Sequence, residues 1–498
     1  MNHAYHHRLR IATTLLFLLA AIGLPIRSAV AFDEPVYFRL TVPLFFEAEI
    51  PQDIGMIQEM ADRLAKERIG ASARLVPLLY LSDFHADPLR VSELNMLAKQ
   101  GVTMDIYPNI LPDRTPIVLN ELLWQYGQDI IDLLEDRPGS QIGSADPLRK
   151  LVSINDYVYA SGVTMRRDLV EQYGIDLSSI HTYFDLDAVF ALVKAHEPDL
   201  YMICPYQTRA SLIRFDKTRM TAGFSFLDVS PNDSDMLVNY YAEDGYRELV
   251  ALFRKWRLAG YLPESLALQN LRASHLVDSG ELFAYTCAYK PGIDYEESNR
   301  SGREMVTVAM TEPIITSGSL NITSWHIADD CKNPGKAMQF LNMLYTDPEL
   351  SNLLLYGIEG VHYVTKDDGT LSYPDGVTAQ TVGYQNTLGW LLPNQTLSPV
   401  WEGNDPDLWK HLRIFDETAP VSDTLEFTFD PGAMSATYQN VLDVVLTYSY
   451  GLETGQLDPD VYLPRMLAEM EAAGSSAILN IAQEQFSSFR ARQEAKAE

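Results

Sequence analysis

The chain lacks the residues that would make it a disulfide scaffold, a zinc protein or a nucleic-acid binder. Its three cysteines, Cys204, Cys287 and Cys331, are far apart and odd in number, so they build no disulfide framework and no zinc-ligand spacing. We expect free, buried thiols, or at most one bridge. Lys and Arg number 38 against 67 Asp and Glu, a formal charge of −29. Such an acidic excess repels phosphate backbones and anionic lipid, and argues against a nucleic-acid partner.

The sequence also lacks the short motifs of common enzymes. It contains no G-x-G-x-x-G, no P-loop, no H-E-x-x-H and no G-x-S-x-G. Paired acids such as Glu296 and Glu297 are adjacent, so their side chains diverge, and we interpret them as solvated surface. "EGNDPDL" at 402–408 has the carboxylate density of a calcium loop without its spacing, which predicts a polar turn. We predict no catalytic residue, no metal and no cofactor, although two acids converging from separate segments stay open.

A long apolar run lies at the N-terminus. Arg8 and Arg10 precede "IATTLLFLLAAIGLPI", and "AVA" at 29–31 places small residues at a cleavage site. The pattern predicts a secretory signal peptide over residues 1–31, cut after Ala31, and therefore an exported protein. The alternative is a retained anchor, for which the run is short. No later stretch is long and apolar enough to cross a bilayer.

Strands and helices alternate through most of the remaining chain. A length of 498 residues exceeds what one core fills, roughly 250–300 residues, so we expect two or more lobes. "VYFRLTV", "SARLVPLLYL" and "GVTMDIYP" read as strands separated by helices, and "YMICPYQ", "ELFAYTCAYKPG" and "MVTVAMTEP" form a second set. The alternation predicts an α/β fold with parallel β-α-β units. Two helices are predicted near the C-terminus, at about 435–450 and 460–493.

Aromatic side chains recur at the ends of the predicted strands and in turns. They occur, with their polar neighbours, at Phe46 and Glu47, Tyr107 and Asn109, Tyr206, Tyr289 and Lys290, Trp325, Trp390 and Trp401. Ligands of open α/β sheets bind outside the carboxyl ends of the strands. Aromatic faces there suit the C–H faces of a sugar, and acids, amides and Lys suit its hydroxyls. For any one ring, packing in the core is an equal alternative.

Several long segments resemble one protein family. "VTMRRDLVEQYGID", "ELVALFRKWRLAGYL", "FAYTCAYKPGIDYEES" and "NPGKAMQFLNMLYTDPELSNLLLYGIEGVHYV" are similar to extracellular solute-binding proteins of ABC transporters, family 1, the group that contains maltose-binding proteins. The subgroup of sugar-binding lipoproteins is the most similar. The resemblance covers essentially all of the chain after the signal. One feature departs from it: "AVAF" contains no lipobox cysteine, which puts lipid anchoring in doubt.

The resemblance implies a two-lobe, periplasmic-binding-protein-like α/β fold with a ligand cleft and a hinge. The first lobe would hold residues 33–160 and 310–365, and the second 161–309 and 366–498 with the C-terminal helices. The resemblance implies that a carbohydrate, expected to be an oligosaccharide, binds as the lobes close. The first-lobe wall would hold Phe46, Glu47, Tyr107, Asn109 and Trp325, and the second-lobe wall Tyr206, Tyr289, Lys290 and Trp390.

The same resemblance implies a monomer that is not an enzyme and that delivers its ligand to the permease subunits of an ABC importer. It also gives the turn "YGIEGVHY" a structural role, in which Glu359 and His362 bond within or beside the turn. Two alternatives stay open. One is an exported carbohydrate-active enzyme, and the other is a binder of a peptide or another solute, or one that serves a sensor.

Overall fold

The structure is a computed structural model that describes residues 37–46, 49–79, 96, 99, 104–111, 115–144, 146–204, 226–230, 232–263, 273–315, 323–422, 424–425 and 427–497. Residues 39–498 form one compact unit. None of the helices in these ranges has the length and apolar character that a bilayer crossing needs.

The described strands are β1 (Phe38–Phe46), β2 (Ala71–Leu79), β3 (Ile106–Pro108), β4 (Leu151–Val152), β5 (Ala160–Arg166), β6 (Tyr201–Cys204), β7 (Leu227–Ser230), β8 (Asp233–Asn239), β9 (Leu282–Tyr289), β10 (Met305–Ala309), β11 (Ser324–Ile327), β12 (Val364–Thr365) and β13 (Leu371–Ser372). The described helices are α1 (Ile54–Ile69), α2 (Asn120–Tyr126), α3 (Gln128–Leu134), α4 (Arg167–Gln172), α5 (Leu186–His196), α6 (Asp244–Leu258), α7 (Ala273–Asp278), α8 (Ile293–Ser301), α9 (Pro334–Thr346), α10 (Pro348–Tyr356), α11 (Leu408–Thr418), α12 (Ser435–Glu453), α13 (Pro459–Ala473) and α14 (Ser475–Ala497).

A first group of elements is built on β1–β4 and β11. β1 pairs with β2, and β11 lies between β3 and β4, antiparallel to both. Thr41 in β1 and Asp105 before β3 exchange two hydrogen bonds: the N–H of Thr41 is donated to the Asp105 carboxylate at 2.8 Å, and the N–H of Asp105 to the Thr41 carbonyl at 2.9 Å. These bonds join the two sheets. Helix α9 packs on α1, α2, α3 and β11.

A second group is built on the sheet β10-β5-β9-β6. Its core contains Phe190, Phe253, Trp256 and Phe283, each with no exposed surface. Helix α6 contributes the apolar face that its sequence predicts, since Leu249, Leu252, Phe253 and Trp256 are all buried. β6 is parallel to β9, but β5 is antiparallel to both β9 and β10. The prediction of parallel units is therefore only partly correct, because β5 runs antiparallel to both of its neighbours in the sheet.

The C-terminal helices pack around the β7–β8 hairpin. Their shared core includes Phe427, Val441, Met466 and Phe486. The predicted helix over 460–493 is two helices in the structure, because Gly474 between them adopts a φ of 105°. Contacts between α6 and α12 attach these helices to the second group.

The segment between α10 and α11 packs on the first group. Leu388 and Leu391 lie in one cluster with Phe45, Val76 and Tyr107. The sequence prediction placed everything after residue 365 in the second lobe, whereas these contacts associate residues near 388–391 with the first. The lobe boundaries stay a prediction, and the contacts favour a crossing later than 365.

The turn after α10 is held by its own side chains. The N–H of Ile358 is donated to Nδ1 of His362 at 2.9 Å, and Nε2 of His362 lies 3.2 Å from the Asp53 carboxylate. The Thr365 hydroxyl is donated to Glu359 at 2.8 Å. Gly357 has a φ of 88°, and a Cβ there would lie 2.5 Å from Nδ1 of His362. The structural interpretation of this turn is confirmed. All three cysteines are free thiols, as expected.

Candidate ligand-binding site

A buried polar cluster lies where the two groups of elements meet. Asp156 belongs to the segment that leaves β4, and Lys290 directly follows β9. Nζ of Lys290 lies 2.7 Å from the Asp156 carboxylate and 3.3 Å from that of Glu296. Gln395, from the segment that packs on the first group, donates its amide N–H to the other oxygen of Asp156 at 2.9 Å. The cluster therefore joins residues far apart in sequence.

The ion pair compensates the burial of both charges. Burial by itself disfavours the charged forms, lowering the pKa of Lys290 and raising that of Asp156. The attraction between the two groups outweighs it, so the pKa of Lys290 is raised overall and the pKa of Asp156 is lowered. Both side chains are thus charged at neutral pH. Paired charges of this kind bond hydroxyl groups from two directions, as donors and as acceptors.

An aromatic group is joined to helix α8, which also carries Glu296 of this cluster. The ring of Trp401 is 4.6 Å from that of Tyr373 and 5.6 Å from that of Tyr356 at the end of α10. Tyr295 in α8 donates its hydroxyl to the carbonyl of Glu402. Gly403 has a φ of 90°, and a Cβ there would lie 2.4 Å from the Tyr295 ring, so only glycine fits. Trp401, Tyr356 and Tyr373 are all half-buried, which leaves part of their surface available.

Three of the predicted site residues lie in this region. Tyr289 precedes Lys290 and pairs across the sheet with Ala160 at the start of β5. Trp390 is half-buried, and its carbonyl accepts an N–H from the Asn155 side chain at 3.0 Å, next to Asp156. Tyr289 and Lys290 are also half-buried. Their roles in ligand contact stay predictions.

The other predicted residues lie elsewhere or outside the described residues. Phe46 and Tyr107 are each 3% exposed, and Tyr107 stacks on His326 with ring centres 5.3 Å apart. Asn109 is exposed; its side-chain oxygen accepts the N–H of Ser324 at 3.1 Å, and its own backbone N–H is donated to the Ser324 carbonyl at 2.8 Å. Glu47 and Tyr206 lie outside the described residues.

Trp325 is placed in the core of the first group. Its side chain is 2% exposed, and its indole N–H is donated to the Leu391 carbonyl at 3.0 Å. In this arrangement the ring presents no face to a solute, and its polar atom is already bonded. Its role as a ligand contact stays a prediction, and Trp401 offers more accessible surface.

Sequence reasoning missed Asp156 and Gln395, and it gave Trp401 no role. Asp156 and Lys290 are 134 positions apart, and Asp156 and Gln395 are 239 apart. No local spacing reveals such pairs, because only the tertiary fold brings them together. The late loops contain the aromatic residues Trp390 and Trp401, and this is the signal in the sequence that indicates a binding role for Trp401.

Comparisons with known proteins agree on the fold. Residues 423–491 match a family model described as a domain of unknown function, DUF3502. A carbohydrate ABC transporter substrate-binding protein of Streptococcus pneumoniae is 22% identical over 480 residues, covering 93% of this chain and 92% of the relative. The crystal structure of the N-glycan transport solute binding protein NgtS from the same species superposes with a TM-score of 0.76 at 19% identity, covering 92% of this chain and all of that one.

A more distant structure, the alginate-binding protein AlgQ2 without calcium ion, gives a TM-score of 0.58 at 14% identity, covering 91% of this chain and 98% of that one. The chain therefore has the two-lobe fold of solute-binding proteins. The resemblance to carbohydrate-binding proteins of ABC transporters that its sequence segments indicate is confirmed.

Proposed function

We propose that this protein is the extracytoplasmic solute-binding protein of an ABC importer and that it captures an oligosaccharide between its lobes. The observation that carries the proposal is the Asp156–Lys290–Gln395 cluster at the meeting of the two groups of elements, which α8 connects to the Trp401 aromatic group through Glu296 and Tyr295. Charged and amide groups bond sugar hydroxyls, and aromatic rings cover the apolar faces of sugar rings. The relatives' names support the same ligand class.

The ligand class can be narrowed by the structural neighbours. NgtS was crystallised with Man1GlcNAc and with Man5GlcNAc, and these complexes superpose on this chain with TM-scores of 0.71 and 0.68. We therefore propose mannose- and N-acetylglucosamine-containing oligosaccharides as the first ligands to test. The single ammonium of the cluster, Lys290, already lies between the carboxylates of Asp156 and Glu296, which favours a neutral sugar over an acidic one.

The location and partners follow from the same proposal. The protein would be exported with its signal peptide removed after Ala31, and it would deliver its ligand to permease subunits. It would act as a monomer and would release the sugar unchanged. The first lobe would contain residues 33–160 and 310–365, extended by the segment near 388–391, and the second lobe would contain the remainder.

A thermal-shift screen followed by calorimetric titration tests the function. Man1GlcNAc and Man5GlcNAc should raise the melting temperature, because a ligand that binds only the folded state stabilises it. Kestose and alginate oligosaccharides serve as comparison sugars. Recovered ligand should be chemically intact by mass spectrometry. A cleaved product formed in excess of the protein would assign the chain to carbohydrate-active enzymes, and stabilisation by peptides alone would assign it another ligand class.

A further inference from the structure

Two separate segments that link the groups of elements are held by one short stretch at the C-terminal end of α11 and just beyond it. We call residues 416–422 the hinge clamp. The first linking segment runs from β4 to β5, and the carboxylate of Asp416 accepts its N–H groups from Val158 at 3.0 Å and from Tyr157 at 3.4 Å. Asp416 is 5% exposed, so these are interior hydrogen bonds to a charged acceptor, which are stronger than neutral ones.

The second linking segment leaves β10, and the backbone of the hinge clamp pairs with it. The N–H of Ile315 is donated to the Pro420 carbonyl at 2.9 Å, and the N–H of Ser422 is donated to the Ile315 carbonyl at 2.9 Å. Side chains reinforce the contact, since Tyr157, Val158, Ile315 and Ala419 form one buried apolar cluster. One element therefore fixes both links.

The hinge clamp also bears directly on the candidate site. Asp156, which pairs with Lys290, is the residue immediately before the two N–H donors that Asp416 holds. Arg137 supports the same segment from the first group. Its guanidinium donates to the Asn155 carbonyl at 2.6 Å and lies 4.8 Å above the Tyr157 ring.

We propose that Asp416 is a positioning residue for ligand capture, which holds the 155–158 segment so that Asp156 stays aligned with Lys290. The role in capture rests on the proposed function, but the hold itself does not. An ionised carboxylate accepts both N–H groups. A protonated one loses part of this bonding but also removes a buried charge, and the second effect is the larger because the pKa of Asp416 is raised overall.

The environment of Asp416 places this change near neutral pH. Burial raises the pKa of Asp416 to about 7, the two N–H donors and the charge of Arg137 oppose the rise, and the charge of Asp156 adds to it. Tyr157 on the held segment and Glu417 on the same helix are the other ionisable groups at this contact. Arg137 and Asp156 keep their charges throughout this range, so Asp416 is the group that changes.

Hydrogen exchange of the ligand-free protein tests the hold. Peptides covering 153–160 should gain protection severalfold when the pH falls from about 8 to about 6, after correction for intrinsic exchange, because the held state binds the proton of Asp416 more tightly than the released one. Asp416→Asn should show protection that does not change between these values. Asp407→Asn, an exposed position before the same helix, is the matched control and should behave as the parent. Equal protection of the parent at both pH values would overturn the proposal, even if Asp416→Asn fails to fold.

Titration with Man1GlcNAc then tests the role in capture. Asp416→Ala, which removes both acceptor oxygens, should bind at least threefold more weakly than the parent. Identical affinities for parent and variant would overturn the positioning role. If no sugar binds the parent while protection still depends on pH, the proposed function fails and the hold by Asp416 is supported.

Discussion

Lys290 is an ammonium held largely out of water by its neighbours. Only 21% of its side chain is exposed, and 13% of that of its partner Asp156. A buried ion pair adds little net stability over apolar residues of the same shape, but removing one partner leaves the other charge uncompensated. The pair is therefore better explained by the proposed ligand binding and by alignment of the segment from β4 to β5 with the end of β9 than by stability alone.

Lys290→Met should lower the free energy of unfolding by about 3–5 kcal/mol, because it leaves Asp156 buried without its cation. Lys290→Met combined with Asp156→Asn should recover part of that loss. Chemical denaturation measures both. Lys410→Met, at an exposed position in α11, is the control and should change stability by less than about 0.5 kcal/mol.

The contribution of this pair should not depend on pH near neutrality. The lowered pKa of Asp156 gives stability that is lost only as the pH falls below its usual range, about 4, and the raised pKa of Lys290 gives stability that is lost only above its usual value, about 10. Titration of the Asp156 carboxyl or of the Lys290 ammonium in the parent between about pH 6 and 8, followed by NMR, would contradict this assignment of charges.

Trp325 and Trp401 should respond differently to truncation. Trp325→Ala removes a buried ring and its N–H bond to Leu391, and should reduce stability by about 3–5 kcal/mol. Trp401→Ala, at a half-buried ring, should cost less stability but more than about 1 kcal/mol of sugar affinity. Thermal melting and calorimetric titration separate the two effects. Tight sugar binding by Trp401→Ala would remove Trp401 from the site, and a stable, weakly binding Trp325→Ala would restore Trp325 to it.

At the scale of elements, the ends of helices are determined by residues that are close to them in the sequence. Asn333 accepts the N–H of Lys336, and Asp347 accepts those of Glu349 and Leu350, each directly before a proline at the first helical turn. Helices α9 and α10 were therefore predictable. Strand direction was not, because β5 pairs with β9 and β10 from far along the chain. The candidate site was predictable only where a residue follows a strand, as Lys290 does, and not where it depends on a distant partner, as Asp156 does.

Asp416 in helix α11 should make the stability of the protein depend on pH. The sign of this dependence is opposite to that of a carboxylate whose pKa is lowered by folding. The folded pKa of Asp416, about 7, lies above the unfolded value, so the folded state binds the proton more tightly. Its contribution to stability therefore falls as the pH rises from about 4 to about 7, by up to about 1.4 kcal/mol per pH unit, and is constant above that.

The stability of Asp416→Asn relative to the parent should thus improve as the pH is raised through this range. Denaturation at several pH values measures the difference in unfolding free energy between Asp416→Asn and the parent. The contributions of the other titrating groups are the same in both proteins and cancel in this difference. Glu417→Gln, on the same helix with 65% of its side chain exposed, is the control and should show a flat difference. A flat difference for Asp416→Asn as well would mean that its carboxyl titrates normally.

At the scale of the whole molecule, ligand capture and lobe movement are one equilibrium. A ligand shifts the protein towards the arrangement that it contacts better, and only by the difference in its affinity for the two arrangements. Lys290 and Tyr295 come from the second group of elements. Asp156, Gln395 and Tyr356 come from segments joined to the first group. A sugar that touches both sides favours the arrangement that brings them together.

Saturation with the sugar that stabilises the protein should therefore bring the two lobes closer. Paired fluorophores report this change in distance, one at Lys194→Cys on α5 and one at Gln339→Cys on α9, in a background with the native cysteines replaced by serine. Energy transfer should rise on ligand addition and return when the ligand is removed. Lys290→Met should need more ligand to reach the same transfer, because it removes a contact from one side only, whereas Lys410→Met should titrate as the parent. If the sugar binds with its full calorimetric heat and the transfer stays constant, closure is absent and the ligand occupies a site already formed in the free protein.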